Sequence, residues 1–275
     1  MNRHVTDRNF DDLVERFEQR IHNSVKGKLR QAIIRRDLLT LLPKLEHPAE
    51  KPLRILDVGA GLGYFTIWLA KCGHCVCYND LSAGMSTRAR VLAEASGVVD
   101  RIEWHTCGYQ QLCGQYHHTF DLILCHALLE WLGQPEKLIS ALAGMIKPGG
   151  GLSLCFYNRA GIVYRNLIRG NFNWIRSKDR FQPDPGSLTP THAFDLEAIK
   201  DQLGESGFNI ESVTGIRVFS DYTLDRRGGL ASPEEIFEME LRFSDQEPFC
   251  RMGRYLHLMA KKKTTANEKG LSFAS

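Results

Sequence analysis

The chain has 275 residues, of which 43% are hydrophobic and 24% charged, with a formal net charge of +3. These are ordinary globular values, and no apolar run approaches the roughly 20 residues that cross a bilayer, which argues against a membrane span. So small a net charge does not by itself point to an acidic partner. Arg3, His4, Asp7 and Arg8 stand where a secretion signal would carry an apolar stretch, so a cytosolic protein is expected.

From Asn9 to Ile21 the residues Phe10, Leu13, Val14, Phe17 and Ile21 recur at helical spacing, and a second amphipathic stretch runs from Val25 to Leu42 before Pro43. These predict a helical N-terminal cap over 1–50, closed by the proline-bearing loop Glu46 to Pro52. After it, apolar runs and helical patterns alternate. Strands are predicted at Arg54–Val58, Cys75–Tyr78, Ile102–His105, Phe120–Cys125 and Leu152–Phe156, with helices at Tyr64–Lys71, Ser82–Ala95 and Pro135–Ile146. Alternation of this kind builds a mostly parallel sheet with helices on both faces. Pro148, Gly149, Gly150 and Gly151 predict a turn before the fifth strand. Asp195–Leu203 and Pro233–Phe243 read as further helices, and Phe208–Val213 and Tyr255–Met259 as strands. The α/β domain therefore spans 51–263, interrupted by an insertion at about 157–190 and followed by a polar, frayed tail over 264–275.

Eight cysteines in a chain of this length do not suggest a disulfide framework, so free thiols are expected. Cys72, Cys75 and Cys77, with His74 among them, have metal-like spacing, but no second ligand pair completes a zinc set. Cys75 and Cys77 are read as core thiols, and no metal is assigned.

Chemistry concentrates in Asp57-Val58-Gly59-Ala60-Gly61-Leu62-Gly63, which leaves the first strand and opens a helix. Glycine there lets the backbone turn sharply and approach a ligand closely. Asp80 ends the second strand, where a carboxylate can accept both hydroxyls of an adenosine ribose; its bland alternative, a helix N-cap, is filled equally well by Ser82. Dinucleotide binding would require glycine where Tyr64 stands. His126 follows the fourth strand, and Gly108, Tyr109 and Gln110 follow the third.

The alternating glycines after an acid resemble the first motif of the class I S-adenosylmethionine methyltransferases, over Arg54 to about Phe156. That resemblance implies a Rossmann-like fold with a seven-stranded sheet, its last strand antiparallel. Outside this core, Asp7-Arg8-Asn9-Phe10, Lys28-Leu29-Arg30-Gln31, His126-Ala127-Leu128-Leu129-Glu130-Trp131, Gly215-Ile216-Arg217-Val218-Phe219 and Gly253-Arg254-Tyr255 resemble the bacterial tRNA 5-carboxymethoxyuridine methyltransferase family over almost the whole chain. The resemblance implies S-adenosylmethionine as cofactor, with Arg30, Gly59, Ala60, Gly61, Asp80, Tyr109, Gln110 and His126 in contact with it, and methyl ester formation on a wobble uridine carboxylate. Gln111 departs from the family's pattern, which has an acid beside the adenine.

The segment Tyr157 to Phe181 interleaves Arg159, Arg165, Arg169, Arg176, Lys178 and Arg180 with Tyr157, Tyr164, Phe172, Trp174 and Phe181. Cations that meet phosphates and rings that stack bases suit an anticodon arm, with Arg165, Arg169, Trp174 and Arg176 as its contacts; a solvated insertion is the alternative. For the acceptor, Arg217 is expected to orient the carboxylate, with Tyr157 and Tyr222 donating hydrogen bonds. A small acid or quinone precursor as substrate, or a non-catalytic adenosyl- or RNA-binding protein, are the competing readings.

Overall fold

The structure, a computed structural model, describes residues 6–19, 24–45, 52–176, 190, 192–222 and 232–264. Lys178, Arg180 and Phe181 of the basic segment, and the tail beyond 264, lie outside the described residues.

A short helix α1 (Val14–Phe17) precedes α2 (Val25–Leu41), whose first turn is capped by Ser24 Oγ accepting the Gly27 N–H at 3.0 Å. The alternating core follows as β1 (Arg54–Val58), α3 (Tyr64–Lys71), β2 (Cys75–Asp80), α4 (Ala83–Ala95), β3 (Ile102–Thr106) and α5 (Tyr109–Cys113). It continues as β4 (Phe120–His126), α6 (Leu138–Met145), β5 (Ile146–Tyr157), α7 (Arg159–Ile168) and α8 (Phe172–Arg176). The last elements are α9 (Leu196–Glu205), β6 (Phe208–Ile216), α10 (Pro233–Phe243) and β7 (Tyr255–Lys262).

The sheet has seven strands in the order β3-β2-β1-β4-β5-β7-β6, with β7 antiparallel to both its neighbours and the other pairings parallel. Period-two alternation divides the core. Leu56, Ile123 and Leu154 face α5, α6 and α9, while Ile55, Leu122 and Leu124 face the opposite layer with Leu69 and Ala89. That second layer also takes Leu29, Ile33, Ile34, Leu38 and Leu41 of α2. The predicted cap is thus joined to the domain it covers through one continuous core. Strand order reverses between β1 and β4, which opens a crevice at their carboxyl ends.

Two local expectations are corrected. The run Pro148 to Gly151 lies inside β5, as a bulge: Phe120 pairs with Ile146 and Leu122 with Gly151, so the intervening residues loop out of register. A Cβ on Gly150 would sit 3.0 Å from the Asp121 and Lys147 carbonyls, so the strands can close only on glycine there. Cys75, read as a core thiol, is exposed at the start of β2, whereas Cys77 is buried.

Candidate cofactor and acceptor site

The crevice between β1 and β4 is lined by Gly59, Ala60 and Gly61 from the first loop, Asp57 beneath them, Asp80 from β2, Gly108 and Tyr109 beyond β3, and His126 from β4. Gly59, Gly61 and Gly63 have φ of 65°, 56° and 70°, a left-handed backbone that residues with a Cβ rarely adopt. A Cβ on Gly59 would also lie 2.9 Å from Leu128 Cδ1. The loop is fixed from below: Ala60 N–H donates to the Asn79 carbonyl at 2.9 Å and Tyr78 Oη donates to the Gly61 carbonyl at 2.7 Å.

Asp80 accepts the Gly61 N–H on Oδ2 and the Ser82 N–H on Oδ1, both at 2.8 Å. Burial outweighs these donors and holds its carboxyl above the ordinary range. Each oxygen keeps a lone pair for a further donor. Ser82 Oγ accepts the Met85 N–H and is the N-cap of α4. Under the glycines, Asp57 accepts the Thr66 hydroxyl at 2.7 Å, and burial pushes its carboxyl up to about 6.

The N-terminal segment closes over this pocket. Asp7 Oδ1 accepts the Gly133 N–H at 2.9 Å, and Asp7 Oδ2 accepts from Gln110 Nε2 at 3.0 Å. Phe10 packs edge-on against Trp131 at 4.9 Å, and Phe10 and Phe17 join the pocket wall beside Arg30. Of the residues expected at the cofactor, Gln110 stands apart. Its amide is spent on Asp7, and it does not line the crevice; nor does Gln111, exposed on the outer side of α5.

Behind the pocket runs a buried hydrogen-bond chain. His126 Nε2 lies 2.8 Å from Ser153 Oγ, Ser153 Oγ 2.7 Å from His257 Nε2, and His257 Nδ1 2.8 Å from Asp37 Oδ2. Burial works to raise Asp37, but the hydrogen bond and charge of His257, together with Arg36, overcome it and leave the carboxyl below its ordinary range. An ionised Asp37 accepts a hydrogen bond from His257 Nδ1–H. Ser153 Oγ thus joins the two imidazoles through their Nε2 atoms, accepting from one and donating to the other as their tautomers dictate. Burial, then the charges of nearby His257 and Arg30, pushes His126 well below the usual imidazole range, so its ring is neutral, with Nε2 on Ser153 and Nδ1 left over. That Nδ1 is buried without a hydrogen-bond partner among the described residues.

On the outer side, cations gather around two rings. Tyr157 and Tyr255 pair across β5 and β7 with centroids 5.2 Å apart, and Tyr255 also lines the cofactor crevice. The guanidinium carbons of Arg30 and Arg217 lie 5.9 and 5.8 Å from the Tyr255 centroid, and that of Arg254 lies 5.0 Å from the Tyr157 centroid. Arg217 pairs with Asp221 at 3.4 Å, and Asp221 also meets Lys26 at 3.2 Å. The loop bearing Arg217 is held by the buried Glu240, whose carboxylate accepts the N–H groups of Val218, Phe219 and Ser220 at 2.7, 3.2 and 2.7 Å. Among the described residues only His118, Ala127 and Arg217 are non-glycine positions with positive φ, and Ala127 (57°) and Arg217 (61°) both border the site. Strain of this kind collects where function fixes the backbone.

Tyr222 requires a correction. Its hydroxyl donates to the Met252 carbonyl at 2.6 Å, with the Gly161 carbonyl 3.2 Å away, so its one proton is not available to an acceptor substrate. Tyr157 is buried, and burial raises its phenol above the ordinary range despite Arg254, Arg165 and Arg217. In the basic segment, Tyr164 and Phe172 expose their rings, Arg169 and Arg176 are exposed, and Arg165 and Trp174 are half-buried.

Cys72, His74, Cys75 and Cys77 do not converge. Among the described residues Cys77 instead meets Glu103 and His105, where Glu103 Oε1 accepts from Tyr116 at 2.5 Å and Glu103 Oε2 pairs with Arg54 at 3.2 Å. Burial pushes the Cys77 thiol up to about 12, which keeps it a thiol and a poor ligand.

Residues 27–213 match the family model described as "Methyltransferase domain". The chain is 38% identical over 258 residues to the tRNA 5-carboxymethoxyuridine methyltransferase of Escherichia coli (strain K12), covering 94% of this chain and 97% of that one. A ubiquinone biosynthesis O-methyltransferase of Xanthomonas euvesicatoria pv. vesicatoria (strain 85-10) is 31% identical over 117 residues, or 42% of this chain and 48% of its own. Among solved structures, the magnesium protoporphyrin IX methyltransferase of Synechocystis PCC 6803, with bound SAH, superposes with a TM-score of 0.60 at 19% identity, covering 92% of this chain and 96% of its own. This last likeness shows the fold.

Proposed function

The chain belongs to the methyltransferase-domain family and, within it, to that of the tRNA 5-carboxymethoxyuridine methyltransferases; from that premise we propose that it methylates the carboxylate of 5-carboxymethoxyuridine at the tRNA wobble position, giving the methyl ester. S-adenosylmethionine is its cofactor, which supplies a methyl group on a cationic sulfonium. The residues present fit that molecule. The glycine cradle is open to close approach, Asp80 retains lone pairs for ribose hydroxyls, and Tyr109 walls the space where adenine would sit. In this reading Arg30, Gly59, Ala60, Gly61, Asp80, Tyr109 and His126 hold the cofactor directly, while Gln110 acts through Asp7, tying the N-terminal segment over it.

The observation that carries the substrate reading is the gathering of the Arg30 and Arg217 guanidiniums over Tyr255 at the rim of the cofactor pocket. A carboxylate with an ordinary pKa of about 4 is ionised at neutral pH and needs no general base. Its demands are orientation and exclusion of water. Arg217, softened by Asp221, positions the carboxylate without gripping it so tightly that nucleophilicity is lost. Phe10, Phe17, Phe65, Leu128 and Trp131 keep the pocket dry, and the neutral His126 avoids placing a second cation beside the sulfonium. Holding nucleophile and methyl in line near 3 Å lowers the barrier by on the order of 7 kcal/mol. Arg165, Arg169, Arg176, Tyr164, Phe172 and Trp174 supply phosphate and base contacts for the anticodon arm, and the enzyme would work in the cytosol, where tRNA is. No helix among the described residues is long and apolar enough to cross a membrane.

Mass analysis of wobble nucleosides from cells with and without the gene tests the reading. The methyl ester should be lost, with the free acid accumulating; an unchanged ester pool rejects it, and methylation of a small acid or quinone precursor without RNA would support the competing substrate class.

A further inference from the structure

The basic face holds two guanidiniums that the carboxylate reading does not use. The joint between α7 and the turn before β7 is built with little tolerance. A Cβ on Gly161 would stand 2.6 Å from the Gly253 carbonyl oxygen, so the two backbones touch. Tyr222 Oη is directed at the Met252 and Gly161 carbonyls across that joint, and Asn158 Nδ2 donates to the carbonyls of Gly253 and Arg251 at 2.7 and 2.9 Å. Asn158 N–H adds a bond to the Arg254 carbonyl at 3.1 Å, and Arg254 N–H one to the Arg217 carbonyl at 3.2 Å. From this frame project Arg165, one helical turn beyond Gly161, and Arg254, next to Gly253.

Both side chains are left electrostatically incomplete. Arg165 Nε and Arg254 Nε are buried and have no hydrogen-bond partner among the described residues. Burial, then the charge of Arg254 and of Arg169, depresses the Arg165 guanidinium, the mark of like charges brought together. The carboxylate whose charge acts on it, Asp221, is already shared by Lys26 and Arg217. Burying unpaired donors on adjacent cations is costly unless an anion with several oxygens completes them.

We propose that Arg165 and Arg254 form a two-arginine subsite for the phosphodiester that flanks the acceptor nucleotide, an assignment that rests on the tRNA function proposed above. The reacting carboxylate must lie within the pocket that Tyr255 borders. The Arg254 guanidinium lies one ring further out, stacked on Tyr157, and is better matched to the sugar-phosphate end of a nucleotide whose base edge enters the pocket. A phosphate offers two oxygens to the Nε–H and Nη–H edge of arginine, the edge whose Nε–H lacks a partner among the described residues in both side chains. Arg169, exposed on the same helix, extends the cationic track outward.

The test is equilibrium binding of anticodon stem-loops by the full chain. One stem-loop carries an ordinary phosphodiester beside the wobble nucleotide, one a neutral methylphosphonate at that linkage, and each is made with 5-carboxymethoxyuridine or with 5-methoxyuridine. The wild type should bind the methylphosphonate form about tenfold or more weakly, the value of a charged hydrogen-bond pair. Arg254→Gln and Arg165→Gln should weaken the ordinary form similarly, no longer distinguish the two linkages, and shed about 0.7 from the salt slope. Arg254→Lys should recover part of the loss, and unchanged S-adenosylmethionine affinity in each variant certifies the fold. Variants that still distinguish the linkages, or that lose only the preference for the carboxylate base, overturn the subsite while leaving the function intact. A wild type that neither binds the stem-loops nor methylates the acid overturns the function itself.

Discussion

The two sides of the site are built on opposite principles. Around Gly59 to Gly63 the polar groups are answered by near neighbours: Asp80 by Gly61 and Ser82, Asp57 by Thr66, the Ala60 N–H by Asn79. Around Tyr157 and Tyr255 the guanidiniums of Arg30, Arg165 and Arg254 form no ion pair with any described residue, and Arg217 shares its one carboxylate with Lys26. A preorganised pocket suits a small ligand that is always the same, since little reorganisation attends its binding. Uncompensated cations suit a polyanion that completes them, with affinity sensitive to salt.

If this division is real, lesions on the two sides must affect different ligands. The largest effect belongs to Asp80→Ala, which removes charge-assisted hydrogen bonds worth roughly 1.5 to 3 kcal/mol each and should weaken S-adenosylmethionine binding about a hundredfold. Calorimetry on the folded variant measures it, with stem-loop binding near the wild-type value as the counterpart. Wild-type cofactor affinity would erase the distinction.

An intermediate effect follows from Asp57. Its carboxyl sits at about 6 when folded, above the ordinary 3.8, so its contribution to stability is fully present below 3.8 and is lost as pH rises through 6. A cationic cofactor favours the ionised form. Its affinity should therefore fall as pH drops below about 6, by at most about tenfold per unit, with a proton released on binding in that range. Titration calorimetry in buffers of different ionisation enthalpy detects the proton, and Asp57→Asn should abolish it. A flat profile between pH 5 and 7 would show that Asp57 does not sense the ligand.

The smallest effect sharpens the outer side. Tyr222→Phe deletes a hydroxyl that ties Met252 to α7 and should cost about 1 kcal/mol of stability, seen as a lower melting temperature. The preference for an acidic over a neutral wobble base should persist in this variant. Its loss would return Tyr222 to the acceptor.

The inner region was the more legible of the two in the sequence, because its signals are local. Gly59, Gly61 and Gly63 alternate within one turn, and Asp80 ends a strand whose apolar run is plain, so backbone need and position are written side by side. The hydrogen-bond chain behind it was not legible. Asp37 and His257 are separated by 220 positions, and nothing near either marks a buried pair. Glu240 likewise reads as a surface acid of α10 until folding brings it under three N–H groups of the Arg217 loop. Phe10 and Phe17 carry an amphipathic period, which predicts a buried face without saying that the face is a cofactor pocket. The bulge in β5 reads as a turn in the sequence because Pro-Gly-Gly-Gly has the same composition in both.

Whether the acceptor is a carboxylate is decided by purified protein with S-adenosylmethionine on two tRNA preparations. One carries 5-carboxymethoxyuridine and the other only 5-hydroxyuridine, and the readout is a base-labile methyl group. Ester should form on the first alone, and more slowly with Arg217→Ala at unchanged cofactor affinity, because a neutral hydroxyl would leave the guanidiniums unpaired and is not an ionised nucleophile. Methylation of the hydroxyl-bearing tRNA at a similar rate would show that the acceptor is a hydroxyl, which requires a general base, and the neutral His126 would then have to serve as one.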